Sequence, residues 1–381
     1  MDFSWSEQQR ELFDGVVEFA SKALNDDLIE NDRTGVFNRR GWDLCGEFGI
    51  QGLLTPKQHG GLELDALTTV GALEKLGYAC QDNGLLFSIN AHMWTAIMPL
   101  IAFGTDEQKS RYLPGLSDGS LIGGNAMSEP GSGSDAYSLR TTAERRGDTY
   151  VLNGSKTWVT NGPTADVLVV FATIDRDKGA KGVTAFLVDK GAKGLTVGSK
   201  LEKMGLRTSP MAELFFDDCE IPEGNRIGKE GQGTAVFTHS MTWERSCILA
   251  GAVGSMRRLL ETCLRYSRDR KQFGQPIGKF QLVATKLVDM KLRLESARQM
   301  LYHGAWLRSR GKSAVLEACM TKLLISESWV ECCEDAIQIH GGSGYMVEYQ
   351  LERELRDAMG SRIYSGTNEI QRNIIAALLD A

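Results

Sequence analysis

Apolar residues return at helical spacing from residue 6 to about 116, first as Leu12, Val16, Phe19 and Ala23 and later through the long run 85–103. Turn-like clusters at 55–61 (TPKQHGG), 80–83 and 104–106 cut this zone into separate helices. From about 121 the texture changes to short runs rich in β-formers, at 150–152, 157–160, 167–173, 183–188 and 212–216, parted by Gly, Asn and Asp. No helical stretch separates these runs, so the expected sheet is antiparallel rather than doubly wound and parallel. After 231 the helical period returns at 235–266, 280–309, 316–339 and 368–379, lengths that suit a helix bundle. The chain therefore reads as mainly α with a central β-domain: a helical domain over 1–120, an antiparallel β-domain over 121–230 and a C-terminal helical bundle over 231–381. Charged positions such as Lys286, Lys291, Arg293 and Glu295 are expected on solvated faces or subunit contacts.

Composition narrows the function classes. With 381 residues, 42% of them hydrophobic, the chain buries a large core without disulfides or metals as staples. A formal charge of −6 argues against nucleic acid as the main partner. The eight cysteines form no CxxC pair, and adjacent Cys332 and Cys333 bridge only with strain, so free thiols in a reducing cytoplasm are expected. The first residues, MDFSWSEQQRELF, lack the basic start and apolar run of a signal peptide, and no unbroken stretch of about 18 apolar residues appears, so no membrane span is expected. Five histidines at 59, 92, 239, 303 and 340 show no ligand spacing, and no metal site is expected. The GxSxG match at 115–119 follows Pro114 in what reads as a polar loop, the wrong setting for a hydrolase nucleophile.

Five motifs carry candidate chemistry. Residues 126–135 (AMSEPGSGSD) combine small residues, which let backbone approach a flat ligand, with the hydroxyls of Ser128 and Ser134. A plain Gly/Ser turn has the same composition, and the third glycine of a dinucleotide fingerprint is missing. Residues 156–162 (KTWVTNG) put Trp158 and Thr160 on one strand face, an aromatic wall with a hydroxyl beside it or an ordinary core tryptophan. In 269–274 (DRKQFG), Arg270 and Lys271 suit a pyrophosphate and Phe273 a nucleobase, although a solvated basic helix end reads the same way. Residues 338–345 (QIHGGSGY) end a long helix in glycines, and 363–371 (IYSGTNEIQ) place Thr367 and Glu369 where helix capping alone accounts for them.

The order and spacing of these motifs resemble the acyl-CoA dehydrogenases over essentially the whole chain. That resemblance implies a helical domain, a β-domain and a four-helix bundle, with FAD as cofactor. It implies that Met127 and Ser128 contact the flavin, that Ser134 lies between cofactor and substrate, and that Trp158 and Thr160 flank the ring. Arg270, Gln272, Phe273 and Gln281, with Gln338, Gly341 and Gly342, are implied to reach the pyrophosphate and adenosine of FAD held mainly by a neighbouring subunit, and Thr367 and Glu369 to close the cofactor site. A shared site implies a homo-oligomer, in this family usually a tetramer.

One departure is informative. Where the family most often carries its glutamate base, ahead of Gly366 and Thr367, this chain has Ser365, which cannot act as a carboxylate. The isovaleryl-CoA type instead places the glutamate on a bundle helix, in a segment like MTWERSCILAG, where Glu244 and Arg245 stand here. Near Met241, Trp243 and Ile248 a carboxylate is desolvated toward the pKa of a working base, whereas the plain alternative pairs Glu244 with Arg245 as a salt bridge. Arg245 is otherwise placed, with Ser134, at the substrate. The segments GWDLCGEFGIQGLLTPKQHGG, AHMWTAIMPL and IYSGT are most similar to enzymes acting on prolyl groups tethered to acyl or peptidyl carrier proteins, in anatoxin-type and pyrrole-forming pathways. A short branched-chain acyl-CoA dehydrogenase and a flavin-binding protein without catalysis are the alternatives. The electron acceptor, a flavoprotein or oxygen, stays open. An acidic carrier would meet a basic surface, for which Arg257 and Arg258 are candidates.

Overall fold

A computed structural model describes residues 4–380; positions 1–3 and 381, the outer ends of the expected first and last domains, lie outside the described residues. The chain opens with α1 (Glu7–Ala23), α2 (Leu28–Thr34), α3 (Arg39–Phe48) and α4 (Ala66–Ala79). Ser6 starts α1 with a reciprocal cap, its hydroxyl accepting from Gln9 N and the Gln9 side chain accepting from Ser6 N, and Phe13, Val16 and Ala20 face the core. Helix α5 (Asn83–His92) runs through one π turn, Met93–Ile97, into α6 (Met98–Phe103), and α7 (Asp106–Ser117) follows. Pro99 has no N–H to give the carbonyl of Thr95; Asn125 Nδ2 reaches that carbonyl instead at 3.4 Å. By length and composition the 21 residues Asn83–Phe103 could cross a bilayer, contrary to the sequence expectation, but 83% of the apolar window is buried and the helix is the core of this domain. The 115–119 match is also not a loop: Pro114 to Ser117 end α7, in a helix-to-turn setting that is no nucleophile elbow.

An eight-stranded sheet follows, made of β1 (Gly123–Ala126), β2 (Thr142–Arg146), β3 (Thr149–Thr160), β4 (Val167–Thr173), β5 (Val183–Asp189), β6 (Leu195–Lys200), β7 (Met211–Pro222) and β8 (Arg226–Ile227). Its order is β6-β7-β3-β2-β4-β5-β8, with β1 on β4. Most pairs are antiparallel as expected, but β1 runs parallel to β4, Gly123 opposite Val167, because the chain enters the sheet from α7 rather than through a hairpin. The expected runs 150–152 and 157–160 are one strand, with register shifts against β7 at 152/154 and 156/159.

Helices α8 (Gly233–Cys247), α9 (Ala250–Asp269), α10 (Gln281–Ser309) and α11 (Val315–His340) form the C-terminal bundle, α8 and α9 being split at Ile248–Leu249 where one helix was expected. A hairpin, β9 (Lys271–Gln272) and β10 (Gln275–Pro276), joins α9 to α10, and α12 (Leu351–Gly360) and α13 (Asn368–Leu378) close the chain. Lys286 and Arg293 are not merely solvated: both bind Asp335, at 2.6 and 2.7 Å, and clamp α10 to α11. Lys291 and Glu295 pair along their own helix, where Glu295 also meets Arg298. Helix α12 ties the layers together, since Asn83 Nδ2 donates to Glu354 and Asp357, Arg258 pairs with Glu354 at 2.6 Å, and Arg356 pairs with Asp32 at 2.6 Å. Arg258 is therefore a half-buried strut, and Arg257 lies over the Tyr78 ring and pairs with Glu261, so neither offers a free basic surface.

Candidate active site

Helix α8 carries Glu244 into the protein, where only 7% of the residue remains exposed. Its Oε1 accepts a hydrogen bond from Ser365 Oγ at 2.8 Å, while Oε2 is buried with no partner among the described residues. Burial raises the carboxyl to about 7, against the opposing pull of the Ser365 hydroxyl and the Arg245 and Lys322 charges. The expected alternative, a salt bridge to Arg245, does not form: Arg245 Nε donates to the Ser365 carbonyl at 3.1 Å. A carboxyl that burial lifts toward neutrality, with one oxygen held and the other unpartnered, is a group poised to take a proton from carbon. Nearby, Phe87 and Tyr364 lie 4.5 Å apart between ring centroids and supply an apolar wall.

The AMSEP segment is fixed from below. Lys156, with no exposed surface, gives its ammonium to Met127 O at 3.0 Å and to Glu129 Oε1 at 2.8 Å. Glu129 also accepts from the backbone N–H of Arg140 at 2.5 Å and Thr141 at 2.9 Å, and Thr157 N donates to Ser128 O at 2.9 Å. One buried ion pair thus staples residues 127–141 to β3. Its two members stood inside the motifs that sequence reasoning singled out, yet neither was picked, because a lysine and a glutamate in polar, glycine-rich segments look solvated.

Trp158 is no core residue. It is 58% exposed, and its φ of +55° falls at the register shift between Lys156 and Val159. A bulky residue held in left-handed backbone at a bulge marks a side chain aimed at something other than its own core. Thr160 is half-buried two residues on, and Ser134 is exposed in the loop that follows the AMSEP turn. That loop rests on α8, with Tyr137 Oη and Thr238 Oγ1 at 3.1 Å, so the glycine-rich segment and the Glu244 helix are held together. An exposed aromatic, flanking hydroxyls and a rigid backbone turn fit a planar ring ligand.

The remaining candidates form a second group. Arg270, Gln272 and Phe273 stand on the β9–β10 hairpin, whose tip residues Phe273 and Gly274 both have positive φ, as a tight hairpin turn requires. Phe273 is 93% exposed. Gln281 begins α10; Gln338, Gly341 and Gly342 end α11 on the surface, and Tyr266 at the end of α9 stacks on His340 at 4.0 Å. Among the described residues no hydrogen bond, ion pair or ring contact joins this group to Glu244 or Trp158. Thr367 caps α13 by accepting from Ile370 N, and Glu369 beside it is exposed. No group of three or more His, Cys, Asp or Glu suited to a metal occurs among the described residues.

Three domains of one family match in sequence: the acyl-CoA dehydrogenase N-terminal domain at residues 6–120, the middle domain at 124–219 and the C-terminal domain at 231–379. The chain belongs to the acyl-CoA dehydrogenase family. It is 41% identical over 377 residues to an L-prolyl-[peptidyl-carrier protein] dehydrogenase of Pseudomonas fluorescens, covering 99% of each chain. With a protein of the same description from a Serratia species it shares 42% over 379 residues, 100% of this chain and 98% of that one. Among solved structures it matches the prolyl acyl carrier protein oxidase AnaB with TM-score 0.98 and 53% identity, over 99% of this chain and 100% of that one. It also matches PigA with FAD and proline at TM-score 0.97 and 42% identity, over 100% of this chain and 99% of that one. The fold is that of an acyl-CoA dehydrogenase: helical domain, β-domain, helical bundle.

Proposed function

We propose that this chain is an FAD-dependent oxidoreductase that oxidises a prolyl thioester on a peptidyl carrier protein to a pyrroline-carboxyl thioester. The observation that carries this reading is the unpartnered Oε2 of a buried carboxylate, Glu244, raised to about 7. Prolyl relatives across the full length support the substrate. Bound FAD supplies a hydride acceptor for the carbon β to the thioester. Glu244 Oε2 takes the proton from the carbon α to it, which the thioester carbonyl has made acidic. Met127, Ser128, Trp158 and Thr160 would hold the flavin, Ser134 would stand between cofactor and substrate, and Arg245, through Ser365, keeps the base in place. Eight free, buried cysteines are in keeping with work in a reducing cytoplasm.

Anaerobic mixing of the yellow enzyme with a prolyl-loaded carrier tests the reading. Bleaching of the flavin and a carrier lighter by two hydrogens per oxidation are expected; bleaching with isovaleryl-CoA alone, or with no thioester, would reject the prolyl assignment. The reduction rate should rise with pH through about 7, since only the ionised carboxyl accepts the proton. Exposing the reduced enzyme to oxygen, with and without an electron-transferring flavoprotein, identifies the acceptor.

The second group of residues supports a shared cofactor site in a homo-oligomer, in which Arg270, Gln272, Phe273, Gln281, Gln338, Gly341 and Gly342 serve the FAD of a neighbouring copy. Phe273→Asp is then expected to lower FAD retention about tenfold, in line with the ~1–3 kcal/mol that stacking on a base contributes. It should also shift the assembly below a tetramer by light scattering. Unchanged FAD content and mass would remove Phe273 from that site.

A further inference from the structure

We propose that Ser365 is the positioning residue of the base: its hydroxyl holds Glu244 Oε1 so that Oε2 alone is presented to the substrate. This rests on the proton-acceptor role of Glu244 proposed above. Ser365 has a φ of +59°, a left-handed conformation that serine seldom adopts, and Gly366 follows at +85°. Three side-chain hydrogen bonds hold that turn. Arg245 Nε and Gln371 Nε2 both donate to the Ser365 carbonyl at 3.1 Å, and Gln371 Nε2 donates to Gly366 O at 2.9 Å. Gln371 is fully buried, so the clamp is part of the core rather than a surface accident.

The clamp has two chemical effects. By accepting from Arg245, the Ser365 carbonyl draws away the one cation that the sequence puts beside Glu244, and an ion pair there would take basicity from the carboxylate. Meanwhile the Ser365 hydroxyl stabilises the ionised form by a single hydrogen bond from an uncharged donor, which opposes burial without neutralising the charge. Among the described residues, the other ionisable groups facing Glu244 leave this hydrogen bond as its one direct partner. Lys322 on α11 gives its ammonium to Asn368 Oδ1 at 2.7 Å, and burial lowers that ammonium to about 7. Tyr364, next to Ser365, is held neutral because burial pushes its hydroxyl up. Arg308 on α10 is engaged by Thr242 O and Ser246 Oγ. The helix Asn83–Phe103 offers one ionisable side chain, His92, committed to Leu116 O and Gly123 N. A serine at 365 is therefore more than a place where a carboxylate is missing.

Ser365→Gly removes the hydroxyl at a backbone conformation glycine adopts freely; Ser365→Cys keeps the shape and donates weakly. Ser365→Asn tolerates the left-handed turn and restores a donor. In the FAD-loaded enzyme, the pH midpoint of flavin reduction by a prolyl-loaded carrier should move up by about one unit in the Gly and Cys variants, in proportion to one lost hydrogen bond to a charged group. Their plateau rate at high pH should fall about tenfold with KM nearly unchanged, and the Asn variant should return the midpoint toward wild type. Infrared difference titration of the carboxyl band that disappears in Glu244→Gln reads the same midpoint without substrate. If no thioester reduces the wild type, the proposed function fails, yet the infrared shift still decides the role of Ser365. A Glu244 midpoint that does not move in either the Gly or the Cys variant overturns it.

Discussion

Glu244→Gln is expected to keep FAD bound, to slow flavin reduction by a prolyl thioester about 100-fold to 10,000-fold, and to make the protein more stable above neutral pH. The rate term is the contribution of a positioned general base. The stability term follows from the same burial. In the unfolded chain the carboxyl titrates near 4.5; in the fold, burial raises it to about 7. An acid whose folded pKa is raised favours the proton in the native state, so ionising it works against the fold. That penalty is absent below about pH 4.5, grows between 4.5 and 7, and is complete above 7, where the difference of about 2.5 units corresponds to roughly 3 kcal/mol. Glutamine carries no charge and escapes it, while its side-chain oxygen can still accept from Ser365 Oγ. Denaturation midpoints of the two proteins should coincide at acid pH and separate as pH rises. Equal midpoints at pH 8 would mean that Glu244 is well solvated, and full turnover by the variant would mean that another group takes the proton.

The parts of this arrangement that could be read from the sequence are those in which apolar period or residue chemistry is local. The long periodic runs of α10 and α11, the β-rich centre, and Glu244 among Met241, Trp243 and Ile248 all announce themselves within a few residues. Helix α12 is less legible: Leu351, Leu355, Ala358 and Met359 do fall at helical spacing, but the helix is only ten residues long, and Arg353, Glu354 and Asp357, buried by pairing with other domains, read as solvated charge. Strand β6 is an edge strand with a mostly exposed, polar sequence, and no alternation betrays it. Period-two spacing pairs Trp158 with Thr160, but a bulge decides that Trp158 points outward, and the bulge depends on the partner strand β7. Arg258 and Lys156 look like surface cations for the same reason: their partners, Glu354 and Glu129, are distant in sequence, 96 and 27 residues away. Glu244 and Ser365 were each legible as chemistry. Their contact across 121 residues was not, and it is this contact that turns a vacant position into a holder of the base.

Lys156→Met should cost the protein about 3–5 kcal/mol and most of its FAD, the scale expected when one partner of a buried ion pair is removed and the other is left charged. Glu129 would keep the N–H groups of Arg140 and Thr141 but lose its cation, and Met127 O would lose its ammonium donor. A loss of that size is a large part of the ~5–15 kcal/mol by which folded proteins exceed their unfolded chains. Burial pulls the Lys156 ammonium down to about 8 while Glu129 pulls it back up, so the buried cation leans on that carboxylate. The effect on cofactor follows from position: the staple holds residues 127–141 against β3, and Met127, Ser128 and Ser134 lie in that segment while Trp158 sits two residues beyond the lysine. Pairing Lys156→Met with Glu129→Gln should restore part of the stability, since no charge is stranded and the amide oxygen still accepts from one of the two backbone N–H groups, which go to separate oxygens of the native carboxylate. FAD content, read as the ratio of flavin to protein absorbance, should recover with it. A single variant that unfolds at the wild-type denaturant concentration would mean that Glu129 finds water when Lys156 is gone, and a double variant no better than the single would place the instability in the lost Met127 contact instead.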